Sequence, residues 1–135
     1  MAHVLIVDDD PGVGDTFGRM LTLEGHRVTI CGTAEAALAK ASTDPPAAVL
    51  VDMRTPVVSG LDFLRRLRQT PALRELPAAI VTGNYFLSDP VLMEMRALGA
   101  TVRYKPLWLD DLMALMSELL APRVTADGPA PSPES

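Results

Sequence analysis

Short runs rich in Val, Ile, Leu and Ala recur along the chain, separated by segments whose apolar residues return at helical spacing. A continuously apolar strand is covered on both faces, and its alternation with helices is the pattern of a parallel sheet with a helix layer on each side. Strands are expected at His3–Val7, Arg27–Cys31, Ala47–Val51, Ala78–Val81 and Thr101–Tyr104. With right-handed crossovers and the first strand in the middle, the fold class is α/β: a doubly wound, five-stranded parallel sheet in the order 2-1-3-4-5.

The intervening segments carry helix boundary signals. Asp10 and Pro11 open the first, which buries Val13, Phe17, Met20 and Leu21 and stops at Gly25; Thr33 caps the second, which runs to about Ser42. The third begins near Gly60, turning Leu61, Leu64 and Leu67 inward and Arg65, Arg66 and Arg68 toward water. Asp89-Pro90 starts the fourth and Gly99 ends it. The fifth, Leu109 to Leu120, has an apolar face wider than one sheet needs, so part of it is expected to meet a partner. Residues 1–121 read as one domain, and 122–135, dominated by Pro, Ala and Ser, as a disordered tail.

Charge and composition narrow the function. A net charge of −5 over 135 residues disfavours a nucleic acid backbone as partner, and the Arg65, Arg66, Arg68 and Arg74 group reads as a solvated helix face. The single cysteine, Cys31, reads as a small buried hydrophobe, and His3 and His26 lack ligand spacing. The apolar runs are too short to span a bilayer and no export signal is evident, so a soluble, cytoplasmic protein without membrane contact is expected.

The chemistry gathers where the strands end: Asp8 and Asp9 after the first, Asp52 after the third, Thr82 after the fourth, Lys105 after the fifth. In an open parallel sheet those ends line one edge, and ligands bind there at the switch in strand order. Clustered carboxylates repel unless protons or a metal intervene, and hard oxygen donors without His or Cys suit Mg²⁺, whose remaining sites take water and phosphate oxygens. A carboxylate can itself attack phosphorus, with a metal, an ammonium and a hydroxyl as sufficient support.

These residues, within the motifs Val7-Asp8-Asp9-Asp10, Val51-Asp52-Met53-Arg54-Thr55-Pro56 with Gly60, Val81-Thr82-Gly83, Gly99-Ala100 and Lys105-Pro106, resemble those of two-component response regulator receiver domains, from Val4 to about Leu120. The resemblance implies a flavodoxin-like fold in which Asp52 accepts a phosphoryl group from a histidine kinase or phosphotransfer protein. It implies Mg²⁺ held by Asp9, Asp52 and the Arg54 carbonyl with Asp8 orienting its waters, Thr82 and Lys105 on the phosphoryl oxygens, and a cis Lys105–Pro106 bond. Asp10 is the helix cap. It further implies a switch rather than an enzyme, with self-dephosphorylation, signalling to a downstream protein through the fourth helix, fifth strand and fifth helix, and phosphorylation-dependent homodimerisation as an option.

Departures from the family pattern mark this chain. Arg54 stands beside the path of hydrolytic water, where its side chain is expected to pair with the phosphoryl group and slow hydrolysis. Thr55 replaces a common Met. The family's switch aromatic falls at Val102; either Tyr104, on the same strand face, substitutes for it or the relay is absent. Trp108 replaces a polar helix cap, and the Thr82–Gly99 segment is about two residues longer than usual, which is expected to displace the fourth helix. Two other functions stay open: a Mg²⁺-dependent phosphatase resembling the haloacid dehalogenases, with Asp8 as nucleophile, and a receiver-like binding module that is never phosphorylated.

Overall fold

The computed structural model describes residues 2–8, 11–53, 57–83 and 88–121, with the side chains of 11–15, 52–53 and 57–59 excepted. The expectations for Asp9, Asp10, Val13, Arg54, Thr55 and the tail lie outside the described residues or side chains. The elements are β1 (His3–Asp8), α1 (Pro11–Leu23), β2 (Arg27–Cys31), α2 (Ala34–Thr43), β3 (Ala48–Met53), α3 (Val57–Gln69), β4 (Ala78–Thr82), α4 (Asp89–Ala97), β5 (Ala100–Tyr104) and α5 (Leu109–Leu120), with a short 3₁₀ turn at Pro71–Leu73. All strand pairs are parallel, in the order β2-β1-β3-β4-β5, as the alternating pattern requires.

Strand alternation divides the core. On one face Leu5, Val7, Val49, Val51 and Ile80 meet Ala37 and Ala41 of α2, Phe63, Leu64 and Leu67 of α3 and Met95 of α4. On the other Val4, Ile6, Leu50 and Val81 meet Phe17 and Leu21 of α1 and Leu112, Leu115, Met116 and Leu119 of α5. Full burial of one such side chain stabilises the fold by roughly 1.5–3 kcal/mol, so these two layers hold the sheet. Gly25 and Gly99 close α1 and α4 at positive φ, 94° and 80°, where a side chain would be strained.

Three expectations are corrected, and the apolar width of α5 is accounted for. Helix α3 starts at Val57, before Gly60; two β-branched residues open it against their propensity, so pattern alone placed its start too late. Strand β2 is not covered on both faces: it is an edge strand, and Ile30 is 41% exposed. Helix α1 still packs closely there, because a Cβ on Gly18 would lie 3.1 Å from Ile30 Cδ1. The broad apolar face of α5 is absorbed largely by the core, Met116 included, leaving Leu109 exposed at the helix start. Finally, Arg68 does not face water but is half-buried, donating to backbone carbonyls of the α3–β4 connection and of α4.

Candidate functional site

Register decides which strand ends meet. The Cα of Asp8 pairs with that of Asp52, and Asp52 pairs in turn with Val81. One position further along, Met53 pairs with Thr82 and Thr82 with Tyr104. The backbone therefore lines up the two aspartates on adjacent central strands, with Thr82 and Lys105 following on the next two.

Asp8 is only 1% exposed and Thr82 is fully buried. A carboxylate so far from water is costly in charged form unless positive charge or hydrogen-bond donors face it, and a second aspartate in the adjacent ladder position adds to that cost. The Lys105 N–H donates to the Thr82 carbonyl at 2.8 Å. Its side chain runs beside Gly83, where a Cβ would lie 4.0 Å from Lys105 Cδ. Lysine is thus held at the strand ends instead of extending freely from the surface. The Lys105–Pro106 bond is cis, as the family resemblance implies.

Among the described residues no group of three His, Cys, Asp or Glu forms a metal cage. Of the expected metal-binding carboxylates, Asp8 alone has a described side chain; Asp9 and Arg54 lie outside the described residues, as does the Asp52 side chain. The donor chemistry nevertheless fits Mg²⁺: a buried hard-oxygen donor beside a second aspartate position, with no soft ligand between them.

Tyr104 is 36% exposed and Val102 is half-buried, and both share the face of β5 that carries Ala100. Tyr104, not Val102, is the ladder partner of Thr82. Trp108 caps α5 without a side-chain acceptor; Asp111 accepts from the Trp108 N–H at 3.0 Å, which supplies the return half of a capping box. Cys31 sits at the end of β2, and burial pushes its thiol above the usual range, keeping it protonated. Sequence reasoning missed the Arg103–Glu118 ion pair, 2.7 Å across β5 and α5. No local signal links residues so far apart.

A family model described as the response regulator receiver domain matches residues 4–116. The chain belongs to the response regulator receiver family. Its receiver sequence is 32% identical over 126 residues to the response regulator MprA of Mycolicibacterium vanbaalenii, covering 93% of this chain and 53% of that protein. MprA of Mycobacterium ulcerans is 32% identical over 118 residues, covering 87% and 50%. The chain thus spans about half the length of the curated relatives it matches.

Among solved structures, the receiver resembles the chemotaxis protein CheY4 of Vibrio cholerae, with a TM-score of 0.79 and 27% identity over 89% of this chain and 99% of that one. It also resembles the signal receiver domain of a histidine kinase from Syntrophus aciditrophicus, with a TM-score of 0.76 and 25% identity over 96% and 99%. Receiver domains belong to two-component signalling, and the family is consistent with a switch rather than an enzyme. Among the described residues no helix is long and apolar enough to cross a membrane.

Proposed function

We propose that this receiver, over residues 1–121 and followed by a tail at 122–135, is a cytoplasmic switch phosphorylated on Asp52. A carboxylate oxygen of Asp52 attacks the phosphorus of a phosphohistidine on a kinase or phosphotransfer protein. The P–O bond forms as the P–N bond breaks, and the imidazole leaves as a neutral base after taking a proton. Asp9, Asp52 and the Arg54 carbonyl would hold Mg²⁺, with Asp8 bonding to its waters, and the bound ion would neutralise charge on the transferring group. The Thr82 hydroxyl donates to a phosphoryl oxygen and the Lys105 ammonium pairs with another. The single observation that carries this reading is the in-register pairing of Asp8 with Asp52 beside buried Thr82.

Output passes to a downstream protein, or to a second copy, through α4, β5 and α5, without nucleic acid or membrane contact by this domain. Tyr104 takes the switch position opposite Thr82, and Arg54 slows loss of the phosphoryl group. Incubation with Mg²⁺ and acetyl phosphate should add one PO₃ unit by mass, on the peptide containing Asp52, and Asp52→Ala should abolish it. Label on Asp8 would instead support the phosphatase reading, and no label the unphosphorylated module. Arg54→Ala should shorten the phosphoryl lifetime; an unchanged lifetime removes Arg54 from the mechanism.

A further inference from the structure

Among the described residues, the side-chain bonds from α3 to α4 gather at the C-terminal half of α4. Arg65 of α3 donates through Nε and Nη2 to both carboxylate oxygens of Glu94, at 2.5 and 2.8 Å. One helical turn further along α3, Arg68 donates to the carbonyl of Leu98, the C-cap of α4, at 2.6 Å. The same guanidinium reaches the carbonyls of Leu76 at 2.7 Å, Arg74 at 3.0 Å and Leu73 at 3.4 Å, so it ties the end of α4 to the turn that leads into β4. Carbonyls at a helix C-terminus lack intrahelical donors and carry partial negative charge, which a cation satisfies. The fully buried residue of the helix, Met95, lies in this half as well.

Among the described residues the other end has no side-chain bond from α3, although Val91 packs against the core. Ser88, Asp89, Pro90 and Met93 are exposed, Val91 and Leu92 are half-buried, and the Ser88 cap bond to the Val91 N–H is long at 3.4 Å. This is the end nearest the functional edge, since α4 follows β4 after Thr82, while its C-terminus feeds β5 where Ala100 pairs with Ala78.

We propose that Arg65 and Arg68 form a hinge clamp, making α4 a lever that pivots about Glu94–Gly99 and takes up rearrangement at its Ser88 end. Its coupling to the site rests on the reading of Asp52 as phosphoacceptor; the clamp itself does not. Both arginines are positioning residues acting on Glu94 and on backbone carbonyls. Pairing with Arg65 holds the Glu94 carboxyl below the usual carboxylate range, so the ionic half of the clamp persists into mildly acidic solution.

Amide hydrogen exchange tests this on the whole chain. Without ligand, Arg65→Gln or Glu94→Gln should speed exchange of the Leu98 and Gly99 amides about two- to fivefold while leaving Leu92 unchanged. The swap Arg65→Glu with Glu94→Arg should restore wild-type rates. Arg68→Ala should have the larger effect, about tenfold, with Arg68→Lys intermediate because lysine cannot fork between two segments. With Mg²⁺ and beryllofluoride, exchange in the wild type should change between Ser88 and Leu92 and not between Glu94 and Gly99; in Arg65→Gln the change should spread along the helix. Equal acceleration of both halves in the ligand-free variants, or a wild-type response centred on Glu94–Gly99, overturns the clamp. If acetyl phosphate leaves Asp52 unmodified, the phosphoacceptor reading fails, and the ligand-free exchange still decides the clamp.

Discussion

The two edges of the sheet handle charge in opposite ways. At the edge where the strands begin, His3 is buried, yet its Nε2 lies 2.8 Å from Thr29 Oγ1, and its Nδ1 is 3.9 Å from Asp44, which Arg27 bonds at 3.1 Å. An imidazole from β1, a guanidinium from β2 and a carboxylate at the end of α2 meet there. At the edge where the strands end, Asp8 is buried with Asp52 as its neighbour in the ladder, and acid follows acid. The first edge sets opposite charges beside each other, whereas the second sets two aspartate positions side by side on the central strands, with Lys105 following β5. A fold can therefore carry ionisable groups at both ends of one sheet and use only one end for chemistry.

Four measurements break or sharpen that contrast. Mg²⁺ at a hundred times its Kd should stabilise the wild type by about 2.7 kcal/mol in urea unfolding, and Asp8→Ala should lose most of this gain. Retention of the whole effect in that variant would place the metal elsewhere. Without Mg²⁺, the neutral Asp8→Asn should be more stable than the wild type by about 1 kcal/mol, because one buried like charge is gone. A less stable Asp8→Asn would mean that the protein already balances this carboxylate internally.

The balanced edge should respond to acid. Burial, with the nearby Arg27, holds the His3 imidazole below its ordinary value of 6.5, outweighing the attraction of Asp44. In that range the unfolded chain binds the proton more readily, so stability rises with pH. The contribution is complete above pH 6.5 and lost as pH falls through the lower folded value. Urea midpoints measured across this window should fall with acid in the wild type and flatten in His3→Gln; parallel curves would exclude His3 as the source. The smallest effect is expected from Arg27→Gln, because the Arg27–Asp44 pair is open to solvent, and it should shrink further in high salt.

Much of this was legible along the chain. The strand runs, the glycines that end α1 and α4, and the polar residues at the strand ends all follow from local rules about which residues tolerate burial, positive φ or a strand terminus. The environment of Arg68 and the filling of the α5 face have one origin. Arg68 has the same local spacing as Arg65 and Arg66, and nothing adjacent to it reveals that carbonyls at Leu76 and Leu98 come within reach. Helix α5 shows a wide apolar stripe, but the depth of the layer beneath β1, β3 and β4 decides that the core fills most of it.

What the sequence determined by itself is therefore the set of elements, their order, and the chemical types offered at each strand end, since periodicity, capping and charge are local properties. Only the tertiary structure decided that Asp8 stands opposite Asp52, that Tyr104 rather than Val102 is the ladder partner of Thr82, and that α3 arginines bond the C-terminal end of α4. Those pairings depend on strand register and helix docking, which arise from contacts between segments far apart in the chain. A shift of one residue would exchange the inward and outward sets of a whole strand, and packing of the two core layers is what forbids it.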